Sequence, residues 1–272
     1  MLAKVVCVAV GAGSFVASMT PPRAAAAATT TNRKLKIQSE GRFLDRFFVD
    51  WLPTLIIRLT LFLVMTYTGC LLWIYHTAAT GRDGCVNCND VQEYQVWRQL
   101  LVLKSWHPMV CAMAIFGGWL RRWSFATLDR FFTYRLTIHA DHKLVSTGPY
   151  KYLRHPSYTG ALLAVSGAYL LLLHQGLWPI FTALLSGWTR SYLIPASPMV
   201  PPVLTVLQGA IPVWGQLTGP NGGAWVTAAL TAFYVEMFRR RIKGEEAMLK
   251  QHFGKEWDLY ASQRWRFIPL LF

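Results

Sequence analysis

Apolar residues in this chain run in long blocks instead of the alternation of a half-buried strand, and the polar residues collect between them. Residues 51–75, WLPTLIIRLTLFLVMTYTGCLLWIY, are long enough as a helix to cross about 30 Å of hydrocarbon at about 1.5 Å per residue. Arg58 is the one charge inside that block, within snorkelling reach of its start. Residues 1–19 form a shorter block behind Lys4, shaped like a cleaved signal or a first transmembrane helix, and the small residues favour the helix. Further spans are predicted at 106–120, 156–178 and 223–238, with Pro108 and Pro156 where a missing N–H costs least. Residues 176–222 carry a single charge, Arg190, and are broken by seven prolines. They predict a further helical pair or interfacial segments, so the chain crosses five or seven times.

The polar segments orient these blocks. Residues 121–155 hold seven Lys or Arg against Asp129 and Asp141, and residues 239–272 hold eight. With the basic stretch at 33–46 they fall on one side, the cytoplasm, while residues 76–105, three basic against three acidic, fall on the other. The predicted class is an all-α, polytopic membrane protein of about 5–7 transmembrane helices. Its organisation reads as an N-terminal apolar segment and linker (1–50), a helical pair with a luminal loop (51–130) and a C-terminal region (131–272).

Composition agrees with that reading: 53% hydrophobic residues, 15% charged and a net charge of +14. The basic excess suits anionic membrane lipid, and its division among separated segments argues against nucleic acid. Cys7, Cys70 and Cys111 lie in apolar runs, where a buried thiol is the default. Cys85 and Cys88 have no second pair at the spacing a zinc site needs, so no metal is expected.

Two polar clusters on the basic side could carry chemistry. The first is GPYKYLRHPSYTG, residues 148–160. Gly148-Pro149 predicts a turn, and Pro156 opens a helix while forcing His155 out of helical geometry. The resulting helix N-terminus, with Arg154 and His155 beside it, favours an anion. Tyr150, Tyr152 and Tyr158 offer aromatic faces to a planar ring or a cation. The same residues also suit a plain interfacial anchor, and local composition leaves both readings open. The second cluster, RRRIKGEEAMLKQHFGKEWDLY, continues the last span as a helix to about His252, with Gly254 as its stop. Arg241 and Glu245, four apart, share a face with Met248 and His252. In a soluble protein that pair would be a solvated ion pair, but near a bilayer such charges are more often functional.

HKLVSTGPYKYLRHPSYTG and RRIKGEEAMLKQHFGKEWDLY, about 80 residues apart, resemble the isoprenylcysteine carboxyl methyltransferase family. The likeness covers residues 131–272, with fungal-like members nearest in the extended middle segment. It implies an endoplasmic-reticulum enzyme that uses S-adenosyl-L-methionine to methylate the C-terminal prenylcysteine of processed CaaX proteins, farnesyl or geranylgeranyl, from the cytoplasmic face. It places cofactor contacts on His142, Lys143, Leu144, Val145, Tyr150, His155, Pro156, Ser157, Tyr158 and Glu245, and the substrate carboxylate on Arg241 as the catalytic clamp. One position departs: Arg135 stands where some members carry an amide, and it is left out of the contact set. The chemistry is consistent with that implication, because a carboxylate is already ionised at pH 7 and needs no general base.

Three rivals remain at this stage. A phospholipid N-methyltransferase would share architecture and cofactor but accept on an amine, which gains nothing from Arg241. A membrane sterol reductase would share the Arg-His-Pro turn and the aromatic tail but use NADPH, and Glu245-Glu246 followed by Met248-Leu249 fits the methyltransferase pattern better. A non-catalytic scaffold would keep the turn for packing and bind no S-adenosylmethionine.

Overall fold

The structure is a computed structural model that describes residues 2–20, 52–80, 102–131, 143–178, 181 and 221–267. Arg135, His142, the Cys85/Cys88 pair and the proline-broken stretch from 182 to 220 lie outside the described residues. What is described is all helical, apart from one isolated parallel bridge between Leu153 and Trp265. In chain order the helices are α1 (Leu2–Met19), α2 (Leu52–Thr80), α3 (Trp106–Leu128), α4 (Pro156–Leu172), α5 (Gly222–Phe253) and α6 (Lys255–Ser262). A 3-10 turn, Gly148–Lys151, precedes α4, and a π-turn, Leu173–Leu177, ends it.

Helix α4 is the centre of the bundle and packs against α1, α2, α3 and α5. It is apolar on every side, as a helix surrounded by others must be. Small residues set its approach to α3. A Cβ on Gly117 would stand 2.4 Å from the Ala164 backbone nitrogen, and one on Gly160 would stand 2.6 Å from the Gly117 carbonyl oxygen. The two backbones touch there, the packing that small residues permit where lipid gives no hydrophobic drive. Two apolar cores flank this contact. One joins Val8, Tyr67, Leu71, Cys111 and Leu171; the other joins Phe15, Val165, Tyr169, Tyr234, Phe238 and Phe267.

The expected helix ends appear where the sequence put them. Gly254, at φ +55°, stops α5 after Phe253, and Pro156 opens α4 after a non-helical His155, φ −128° and ψ 56°. Two described helices, Leu2–Met19 and Thr54–Trp73, are long and apolar enough to cross a membrane; Pro156–Leu172 is apolar but shorter. On α2, Leu55, Phe62, Met65 and Trp73 are exposed. Arg58 is exposed as well, as a snorkelling side chain would be.

Candidate active site

The turn before α4 and the polar half of α5 meet at one end of the bundle. The 3-10 turn starts at Gly148, φ +56°, a left-handed conformation that glycine adopts without strain. It turns Tyr150 inward until 7% of it is exposed, while Tyr152 stays 63% exposed. Tyr152 and Lys151 are therefore the outward, anchor-like members of the cluster, and Lys151 caps the Tyr152 ring at 5.7 Å. Burial, followed by the nearby Glu245 carboxylate, pushes the Tyr150 phenol well above its ordinary range.

Arg241 and Glu245 are brought together through a third residue. The Tyr158 hydroxyl accepts a hydrogen bond from Arg241 Nε at 2.7 Å and donates one to Glu245 Oε2 at 3.0 Å. Tyr158 can take this place because Pro156 fixes the first turn of α4, and because its ring lies on Phe238 of α5, with centroids 5.1 Å apart. The arginine fork is thereby held at its Nε, and the Glu245 carboxylate, 30% exposed, faces the same space as Tyr158 and His155. His155 Nδ1 is 4.0 Å from Glu245 Oε2.

The neighbouring Glu246 has a different task. Its side chain is 13% exposed and gathers three partners: His155 Nε2 at 3.1 Å, Arg154 Nη1 at 3.3 Å and Arg266 Nη2 at 2.5 Å. Burial alone would raise its carboxyl, but the hydrogen bonds and charges of His155 and Arg266 outweigh burial and hold it below the usual carboxylate range. The segment 264–267 is tied in beside it. Arg154 N donates to the Trp265 carbonyl at 2.8 Å, and Trp265 N donates to the Tyr152 carbonyl at 3.1 Å. Arg264 Nε donates to the Tyr150 carbonyl at 2.9 Å, and its guanidinium lies 4.1 Å over the Tyr260 ring. Thr159 donates to the Phe267 carbonyl, closing the strap over the start of α4.

Arg121 completes the floor. Its Nε donates to the Ser18 carbonyl at 3.0 Å, and Nη1 reaches the Ser157 carbonyl and hydroxyl, each at 3.1 Å. It thus joins α1, α3 and the first turn of α4. Lys143, Leu144 and Val145 lead up to the 3-10 turn outside any helix, Lys143 exposed and the other two half-buried.

Of the residues expected from the sequence, the structure brings together Tyr150, His155, Pro156, Ser157, Tyr158, Arg241 and Glu245. Sequence reasoning missed Glu246, Arg121, Arg264 and Arg266. A signal existed for the last two, since Arg264 and Arg266 alternate with Trp265 and Phe267 as in an extended segment. Arg121 gave none, because it reads as one more positive charge beside a span. Elsewhere, an open and mostly apolar groove of about 640 Å³ lies between α3, α4 and α5, lined in part by Met113, Ser166, Leu170, Thr227 and Val235. It runs alongside the polar cluster and does not enclose it; Glu236, at its rim, is five residues before Arg241 on α5.

Residues 110–189 match the isoprenylcysteine carboxyl methyltransferase (ICMT) family. That stretch includes His155 to Tyr158; Arg241 and Glu245 lie beyond it. The chain is 26% identical over 161 residues to proteins named probable protein-S-isoprenylcysteine O-methyltransferase from Oryza sativa subsp. indica and subsp. japonica. It is 26% identical over 153 residues to protein-S-isoprenylcysteine O-methyltransferase B of Arabidopsis thaliana. These alignments take in 58% and 56% of this chain, which spans 59% and 53% of the length of those relatives. No solved structure matches. The expected family likeness is borne out by the family match, which takes in the first of the two sequence motifs, and by these relatives.

Proposed function

We propose that this chain transfers a methyl group from S-adenosyl-L-methionine to the C-terminal α-carboxylate of a prenylated cysteine, at the cytoplasmic face of the endoplasmic-reticulum membrane. The observation that carries this reading is the Tyr158 hydroxyl joining Arg241 to Glu245. An arginine for an anionic acceptor and a carboxylate for a cationic donor stand one hydroxyl apart.

The residues present suit such a cofactor. The start of α4 has no side-chain cap, so its N–H groups and positive dipole end are suited to a carboxylate of the cofactor. Glu245 offers a negative charge, and Tyr150, Tyr158 and His155 offer aromatic faces to a sulfonium or an adenine ring. Lys143, Leu144 and Val145, with His142 before them, would border the same pocket, and Pro156 and Ser157 would form its edge. When bound, the cofactor supplies an electrophilic methyl group on a positively charged sulfur.

The chain's own work is positioning. The acceptor carboxylate is ionised at pH 7, so no residue has to remove a proton. Arg241 binds it through paired hydrogen bonds and, held by Tyr158 at Nε, keeps one orientation. Alignment of acceptor and donor at about 3 to 3.5 Å is the large lever available to such a site. Glu246, Arg154 and Arg266 fix His155 and the strap around it, which keeps the start of α4 in place.

The apolar groove gives the lipid chain a course. A prenyl group lying along Met113, Leu170 and Val235 would leave its cysteine near Arg241, which is about 9 Å beyond Val235 along α5 at about 1.5 Å per residue. Ser166 and Thr231 in its wall bond to each other at 3.0 Å, so they present no unpaired polar group to such a chain. Five or seven membrane crossings, with the three basic segments cytoplasmic, complete the proposed arrangement, and prenylated CaaX-protein C-termini are the proposed partners. The test is incubation of membranes holding the protein with labelled S-adenosylmethionine and N-acetyl-farnesylcysteine. A base-labile methyl ester is expected; label in phospholipid instead would replace this reading with amine methylation.

A further inference from the structure

Two successive arginines on α3 have opposite surroundings. Arg122 is exposed, whereas Arg121 is 8% exposed. Successive residues on a helix point about 100° apart, so one side chain turns out and the other is carried between α1 and α4. A guanidinium there is costly unless its hydrogens meet oxygens. Arg121 Nε finds the Ser18 carbonyl at 3.0 Å, and its charged plane lies 4.8 Å over the Phe125 ring. Ser18 is in the last turn of α1, where carbonyls lack a partner within the helix and a cation suits the dipole.

The helices on either side fix this course. A Cβ on Gly160 of α4 would stand 2.7 Å from the Arg121 backbone nitrogen. One on Gly118 of α3 would stand 2.3 Å from Ser14 Oγ of α1. Neither neighbour can move closer, so the guanidinium is directed along the space between them toward the first turn of α4.

That turn is where the geometry bears on chemistry. Arg121 Nη1 donates to the Ser157 carbonyl and to the Ser157 hydroxyl, each at 3.1 Å. A hydroxyl has one proton to give and two lone pairs to offer. With a cation on one lone pair, the Ser157 proton is turned away from the guanidinium, and no acceptor for it stands among the described residues. The charge behind the oxygen also makes that O–H a stronger donor. Arg121 is an electrostatic neighbour of Tyr150, as are Tyr158 and Glu245, which sets it beside the same polar cluster.

We propose that Arg121 is a positioning residue for the methyl donor: held by the end of α1, it presents the Ser157 hydroxyl as a hydrogen-bond donor to the carboxylate of S-adenosyl-L-methionine. This rests on the proposed placing of that cofactor at the start of α4. Arg121 touches none of the reacting groups, and its effect runs through Ser157. In consequence α1, which lies outside the matched stretch 110–189, takes part in cofactor binding.

The test measures S-adenosylmethionine binding to the full chain in detergent by calorimetry, with steady-state transfer to N-acetyl-farnesylcysteine beside it. Ser157→Ala and Arg121→Lys are each expected to weaken cofactor binding about tenfold, as loss of one hydrogen bond to a charged group does. The double variant should also be weakened about tenfold and not about a hundredfold, because the two residues act in series. KM for S-adenosylmethionine should rise by a larger factor than kcat falls, while KM for farnesylcysteine holds, a split that general loosening of the bundle does not produce. Arg122→Gln should bind as wild type does. Because Arg121 is buried and its variant can fail to fold, Ser157→Ala carries the decision. Cofactor binding at wild-type affinity in Ser157→Ala, or losses that add in the double variant, overturns the proposal. A wild-type chain that binds no S-adenosylmethionine overturns the proposed function along with it.

Discussion

The two ends of this bundle treat charge in opposite ways. At one end two carboxylates are tied to bases: Glu246 takes His155, Arg154 and Arg266, and Glu245 is joined to Arg241 through Tyr158. At the other, Lys4 is buried near His107 and His174, and among the described residues His107 Nε2, the Trp106 indole nitrogen and His174 Nδ1 are buried without a hydrogen-bond partner. A network that is complete in itself positions side chains for work on something else. Buried polar atoms left unpaired lower stability instead. The difference teaches that basic residues in such a chain are not one population: Arg121 and Arg154 tie elements together by hydrogen bonds, whereas Lys4 is packed into the interior of the bundle.

Changes at the complete end should hurt in proportion to what each removes. Arg241→Ala is expected to lower methyl-ester formation by about a thousandfold, as loss of a preorganised charge in a site does, with S-adenosylmethionine binding largely retained. Ester formation at the wild-type rate would remove Arg241 from the carboxylate role. Glu246→Ala orphans three bases at once and should lower stability by roughly 2 to 3 kcal/mol, read as a fall in the thermal midpoint in detergent. If the midpoint holds, the strap is not held by that carboxylate. Tyr158→Phe keeps the ring on Phe238 but removes the bridging hydroxyl; a loss of about fivefold in transfer is expected, since one buried hydrogen bond is worth about 1 kcal/mol.

The smallest effect is the one with pH. The carboxyl of Glu246 is held down in the folded chain, so its contribution is full above the ordinary range near pH 4 and is lost as pH falls through the lowered value. The midpoint difference between wild type and Glu246→Gln should therefore be constant at neutral pH and shrink below about pH 4. A difference that stays constant to lower pH would show the hub held by packing and not by charge.

Particular residues show how far the sequence could be read. Pro149, Pro156 and Gly254 act through local backbone geometry, so the turn, the start of α4 and the end of α5 were all legible. The long apolar blocks predicted helices, and the described residues are helical. What a helix face does with its polar residues was less accessible. Lys4 looked like the charge in front of a signal-like segment and is buried beside His107, which comes 103 residues later in the chain. Arg121 looked like a topological charge and instead ties α1 to α4.

Glu245 and Glu246 mark the boundary most clearly. The sequence by itself determined that two carboxylates stand one turn beyond Arg241, on a helix leaving an apolar span, because composition and helical period are local properties. Only the tertiary structure decided that one of them shares Tyr158 with Arg241 while the other locks His155 and the C-terminal strap. Successive residues on a helix point about 100° apart, so adjacent glutamates meet different neighbours, and those neighbours are chosen by how α4, α5 and the strap pack.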